Sequence, residues 1–162
     1  MDASILNAET EAVIGCAFEV LKEIGPGLPE IPYQNALIIE FDLRAIPFEQ
    51  QRRHDILYKT VKIGEYVPEV TAFGEVLVDV KEIARITDHE VGQMLNYLQI
   101  TGHPVGVILN FRHTRLEWKR VVNAALVKRE PPTDTDGHSA PESQPKRIST
   151  RISMFLTGHR ET

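Results

Sequence analysis

Two short segments carry the strongest chemical signal in this chain. Pro68-Glu69 is followed, after nine residues, by Asp79-Val80-Lys81. If the two segments form a hairpin closed at Phe73-Gly74-Glu75, Glu69 faces Asp79 with Cβ atoms roughly 4.5–5.5 Å apart. Asp79 and Lys81 are two apart on one strand and share that face, while Val78 and Val80 point the other way, into the core. Two carboxylates so placed suit one hard, oxygen-seeking divalent cation, Mg²⁺ or Mn²⁺. A lysine beside them can hold or activate a water and offset charge developing on a phosphate. Asp-x-Lys alone is a weak motif, because acids and a lysine on a hairpin commonly form a solvated face. The Pro-Glu element at matching spacing is what gives it weight.

Two further groups belong with this cluster. Gln93 and Tyr97 are one helical turn apart, and Val91, Met94, Leu95 and Leu98 define the expected apolar face on the other side. The pair either reaches a phosphate or base lying over the cluster or is simply the polar face of its helix. Glu30 falls at a helix N-terminus in Gly27-Leu28-Pro29-Glu30-Ile31-Pro32-Tyr33. There a carboxylate is favoured by the macrodipole and caps free N–H groups; the functional alternative is a third acid near the metal.

The elements that must position these residues follow from hydrophobic period and punctuation. Thr10 to Ile24 reads as a helix with Val13, Ala17, Val20, Leu21 and Ile24 on one stripe, stopped by Gly25-Pro26-Gly27. A second helix runs from about Glu30 to Leu43. Three β-like runs follow, Phe48–Tyr58, Val61–Phe73 and Val76–Lys81, with turn signals at Lys59-Thr60 and Gly74. A helix from Asp88 to Thr101 is capped by Thr87 or Asp88 and stopped by Gly102. Val105–Phe111 reads as a strand buried on both faces, and Leu116–Val122 as an edge strand. The order α-α-β-β-β-α-β-β predicts an α/β sandwich: a mixed central sheet flanked by helices.

Composition bounds the rest. The 162 residues carry a formal net charge of −5. Through Val127 there are 12 Lys+Arg against 18 Asp+Glu, so the chain lacks the basic surplus that drives non-specific nucleic-acid coating. Arg52-Arg53 and the group Arg112, Arg115, Lys119, Arg120 are the only basic clusters before residue 128; either can touch a phosphate backbone, but surface solubility is the simpler reading of both. Cys16 is the single cysteine, which excludes an intrachain disulfide and a cysteine-based zinc site and fits a core thiol in a reducing compartment. No His pair has ligand spacing on one helix. The absence of a signal peptide or an apolar run near 20 residues predicts a soluble cytoplasmic protein with no membrane partner. Residues 1–127 are expected to form the folded domain. Residues 128–162 form a tail, with 128–147 disordered and Ile148–Leu156 either disordered or a short docking helix.

With these residues assembled, the sequence resembles the GxxExxY family, a branch of the PD-(D/E)xK nuclease superfamily. The likeness covers about residues 8 to 125. It rests on Ile14-Gly15-Cys16-Ala17-Phe18-Glu19-Val20, Gly27-x-x-Glu30-x-x-Tyr33, and Gly64-Glu65-Tyr66 leading to Glu69. It continues through Val78-Asp79-Val80-Lys81, Gln93-Met94-Leu95-Asn96-Tyr97-Leu98 and Val107-Ile108-Leu109-Asn110-Phe111. Glu69 stands where the family normally carries aspartate. The resemblance implies a restriction-endonuclease-like core. Glu69, Asp79 and Glu30 would then bind Mg²⁺ or Mn²⁺, Lys81 would position the water, and Gln93 and Tyr97 would support the metal or substrate. The expected partner is nucleic acid, DNA or RNA, with a homo-oligomer or a protein partner left open. Two functions follow: a metal-dependent nuclease, or a weak or inactive nuclease fold that binds nucleic acid or a protein.

Overall fold

A computed structural model describes residues 4–127; the tail assigned from sequence to 128–162 lies outside the described residues. The elements are α1 (Asn7–Ile24), α2 (Glu30–Leu43), β1 (Phe48–Gln50), β2 (His54–Tyr58), β3 (Val61–Tyr66), β4 (Val70–Ala72), β5 (Val76–Lys81), α3 (Asp88–Thr101), β6 (Val105–Asn110), β7 (Glu117–Val122) and α4 (Ala124–Val127).

Five strands form one mixed sheet in the order β1-β4-β5-β6-β7, while β2 and β3 form a separate two-stranded sheet. Only β5 and β6 run parallel, as the crossover through α3 requires. The register pairs Val76 with Val105 at one end and Lys81 with Asn110 at the other. Strand β6 is buried along its whole length, as its unbroken apolar run predicts, and β7 is an edge. The α/β sandwich expected from the sequence is the observed architecture.

The strand count differs. The first two β-like runs each split, and a local cause is visible at each break. Gln51, with φ 54°, leaves the extended region directly after β1. Pro68, without an N–H to donate, falls between β3 and β4. Lys59, with φ 56°, turns β2 into β3 where the sequence places a turn.

Two apolar clusters cover the two faces of the large sheet. On one face α1 and α2 bring Val13, Ala17, Val20, Leu21, Tyr33, Leu37 and Phe41 against Val70, Val76, Val78, Val80, Val107 and Leu109. On the other, Met94 and Leu98 of α3 pack on Leu77, Ile108 and Val121. Gly106 permits that approach, since a Cβ there would sit 2.3 Å from the Met94 Sδ. Cys16 is a buried free thiol.

Two expected core positions are corrected, and one residue expected on a polar face turns inward. Ile24, at the end of α1, is exposed, because the helix outruns the layer it packs on. Leu95 is exposed as well: α3 buries only a narrow stripe through Met94 and Leu98, and Leu95 is rotated about 100° beyond Met94. Tyr97, by contrast, packs against this second cluster.

Candidate active site

Alternation along β5 decides which face bears the chemistry. Val76, Val78 and Val80 belong to the α1/α2 side and Leu77 to the α3 side, so Asp79 and Lys81 project on the side of α3. The β4–β5 register pairs Val70 with Val78 and Ala72 with Val76. Continued by one step, it sets Glu69 opposite Asp79. The hairpin is closed at residues 73–75, where Glu75 N donates to Ala72 O at 3.1 Å. Phe73 and Gly74 both have positive φ, 56° and 70°, as a type I′ turn requires.

Lys81 Nζ lies 3.2 Å from Asp79 Oδ2, with side-chain exposures of 21% and 16%. Burial pushes the Asp79 carboxyl up; Lys81 pulls it back, while Glu30 and Glu90 push it further up. Glu69 is also raised, first by burial, then by the negative charges of Asp79 and Glu30. Its Oε2 is buried with no hydrogen-bond partner among the described residues. Burial alone would lower Lys81, but Asp79, Glu30 and Tyr97 outweigh it and hold the ammonium charged.

Glu30 joins the cluster from a different element. It does not cap its own helix: its Oε1 accepts from the backbone N–H of Glu82 at 3.3 Å, just past the end of β5. The Gly27-x-x-Glu30-x-x-Tyr33 signature explains this placement. Gly27 has φ 109°, a conformation that favours glycine. The fully buried Tyr33 donates through its hydroxyl to Gly25 O at 2.7 Å and accepts from Leu28 N at 3.2 Å. Its ring stacks on Phe111 with centroids 4.6 Å apart. Tyr33 therefore clamps the turn from which Glu30 departs.

Helix α3 supplies the roof. Thr87 caps it in a capping box with Glu90. Glu90 acts on Asp79 and Tyr97 on Lys81, and positions 90, 93 and 97 fall on one stripe of the helix. Gln93 lies on that stripe, between them.

The sequence reading assigned no role to several residues that shape this site. Tyr66, at the end of β3, stacks on Tyr97 with centroids 4.0 Å apart and planes 11° from parallel. Burial and the neighbouring Asp79 push its hydroxyl far up, so it stays neutral. Its only advance signal was its place in Gly64-Glu65-Tyr66, three residues before Glu69. The second residue is Asn110, fully buried at the end of β6. It accepts from Ile83 N and donates to Ile83 O and to Glu117, and Glu117 in turn accepts from Ile86 N at 3.0 Å. This network fixes the loop that follows Lys81. A polar residue ending a wholly apolar run was the available signal.

Several of the arginines are engaged within the chain. Arg112 pairs with Glu82 at 2.6 Å and Arg53 with Glu65 at 3.1 Å, while Arg120 bonds to Ile5 O and Thr10.

Metal fit rests on the donor set. No group of three or more His, Cys, Asp or Glu side chains is arranged as a metal cage among the described residues. Mg²⁺ does not demand one, since it usually keeps several waters and takes one or two carboxylates plus substrate phosphate. Two mutually repelling carboxylates, one with an unpartnered buried oxygen, fit that requirement.

A family model described as PD-(D/E)XK nuclease superfamily matches residues 7–121. No curated protein and no solved structure matches the chain.

Proposed function

The chain belongs to the PD-(D/E)XK nuclease superfamily, and from that premise we propose that it is a divalent-metal-dependent nuclease hydrolysing phosphodiester bonds in DNA or RNA. The observation that carries this reading is the cluster at the β4–β5 hairpin: Lys81 paired with Asp79, and Glu69, one residue before β4, whose Oε2 has no partner among the described residues and whose carboxyl feels both Asp79 and Lys81. Within the superfamily, the way Gly27, Glu30 and Tyr33 act together supports the GxxExxY branch. The single buried free thiol supports a reducing, cytoplasmic location, and no helix among the described residues is long and apolar enough to cross a membrane.

Glu69 and Asp79 would hold Mg²⁺ or Mn²⁺, with Glu30 at its margin. The bound ion would polarise the scissile phosphate and make a water nucleophilic near neutral pH. Lys81, kept cationic, donates to the attacking water or to a phosphate oxygen and does not serve as the base. Gln93 and Tyr97 bound the groove on the α3 side, where they position the substrate.

A second reading, a nuclease fold that binds without cutting, is favoured by the acidic balance of the chain through Val127, 12 Lys+Arg against 18 Asp+Glu. One experiment separates the two. Supercoiled plasmid, single-stranded DNA and structured RNA are incubated with Mg²⁺ or Mn²⁺ and wild-type, Asp79→Asn or Lys81→Ala protein. Metal-dependent cutting lost in both variants establishes the nuclease. Folded wild type that cuts no better than the variants leaves the binding module.

A further inference from the structure

Among the described residues, three buried side-chain polar atoms lack a hydrogen-bond partner: Glu69 Oε2, His54 Nε2 and His103 Nδ1. Leaving such an atom unpaired costs about 1–3 kcal/mol, so each calls for an explanation. Glu69 has one in the acid cluster. The two histidines lie outside that cluster but beside each other, with ring centroids 5.9 Å apart and planes 77° from parallel.

We propose that His54 and His103 form a second metal site, taking a borderline transition ion of the Zn²⁺ class through His54 Nε2 and His103 Nδ1. Two imidazoles sharing one tetrahedral ion at about 2.0–2.1 Å per nitrogen have ring centres roughly 5–5.5 Å apart. The observed separation of 5.9 Å is somewhat wider, so binding requires the two rings to draw together. Imidazole nitrogen suits Zn²⁺, whereas the carboxylate oxygens of the first site suit Mg²⁺ or Mn²⁺, so the two sites select different ions. Both rings are also in the form a metal needs. Burial lowers the pKa of His54, with Arg52 lowering it further and Glu49 opposing; burial and then His54 lower that of His103, with the Gly74 backbone opposing. Neutral imidazole is the ligating species. Among the described residues no third His, Cys, Asp or Glu completes a cage, so the remaining positions fall to water admitted as the two rings turn toward the ion.

The location gives such an ion a structural task. His54 opens β2 in the two-stranded sheet, while His103 precedes β6 of the large sheet, at the end opposite the Lys81–Asn110 pairing. A two-stranded hairpin alone is marginally stable. An ion held by both histidines clasps it to the large sheet. His54 also pairs across the strands with Tyr66, whose ring stacks on Tyr97, so the clasp steadies the aromatic pair beside Asp79.

The test uses the full chain carrying Asp79→Asn, which weakens ion binding at the carboxylates, titrated with Zn²⁺ by calorimetry and with Co²⁺ by its tetrahedral ligand-field absorption. Saturable binding that disappears in both His54→Gln and His103→Gln is expected. Imidazole ¹⁵N shifts of the unsubstituted chain with Zn²⁺ give an answer even if a substitution impairs folding. Zn²⁺ should move His54 Nε2 and His103 Nδ1, leaving His89 and His113 unmoved. No saturable binding, binding that survives both His substitutions, or imidazole shifts confined to other histidines would each overturn the proposal.

Discussion

Asp79, Glu69 and Lys81 show how one strand face can be costly to fold and useful once an ion arrives. Both carboxyls are pushed above their ordinary values of 3.8 and 4.5, first by burial and then by nearby acids: Glu30 and Glu90 act on Asp79, and Asp79 and Glu30 on Glu69. A raised acid binds its proton more tightly in the folded state than in the unfolded chain. Its stabilising effect is complete below the ordinary value and is lost as pH rises through the folded one. Metal-free protein should therefore become less stable as pH rises above the usual carboxylate range. Glu69→Gln removes this penalty, so it should raise the metal-free Tm at about pH 8 by about 2–5 °C while abolishing the further rise that Mg²⁺ or Mn²⁺ gives the wild type. Scanning calorimetry with and without metal checks both parts; a Gln variant that is less stable without metal would refute the argument. Lys81→Ala should leave metal binding in place and lower kcat by about 10²–10³-fold, the usual loss for one preorganised donor. Single-turnover cleavage alongside metal titration would show this split.

The elements matter through two close fits. Tyr33 holds the turn from Gly25 to Leu28 with one donated and one accepted hydrogen bond, and that turn launches Glu30 toward Glu82. Tyr33→Phe keeps the stack on Phe111 but removes both hydrogen bonds to Gly25 and Leu28, a loss of about 1 kcal/mol. The same variant should weaken cleavage more than global stability explains, because Glu30 loses its anchor; urea melts and cleavage rates on one preparation compare the two. The second fit is α3 on β6. Gly106→Ala drives a Cβ into Met94, and overpacking of this kind costs about 1–3 kcal/mol. Adding Met94→Val should recover part of the loss, which a double-mutant cycle measures. Additive losses would mean that the contact is not the cause.

For the whole molecule, charge sets the terms on which a polyanion approaches. The net charge is −5, and Arg53, Arg112 and Arg120 are already engaged within the chain. Few counterions can be released on binding, so log Kobs for duplex DNA should fall with log salt at a slope no steeper than about −3. Fluorescence anisotropy of Asp79→Asn protein across a salt series measures this slope. A steep slope would overturn this argument and point to cations without an ion-pair partner among the described residues, such as Arg85, Arg115 and Lys119.

The sequence by itself determined the layer order, the pairing of Glu69 with Asp79, and the face they share with Lys81. Each of these follows from local rules: a period of two in strands, a glycine at a tight turn, glycine and proline ending helices. It also singled out Glu30, Gln93 and Tyr97 as candidates, but not their relations, because spacing along one helix carries no information about what another element brings to it. Only the tertiary structure decided that Glu30 binds the end of β5 and does not cap its own helix. The same holds for Tyr97, which is half-covered by Tyr66 from a separate two-stranded sheet, and for Leu95, which lies outside the stripe buried by α3. It likewise brought together His54 and His103, 49 residues apart in the chain and without ligand spacing on any one element. Contacts of this kind are fixed by how whole layers pack, and packing is a property of the closed fold that no local window of residues encodes.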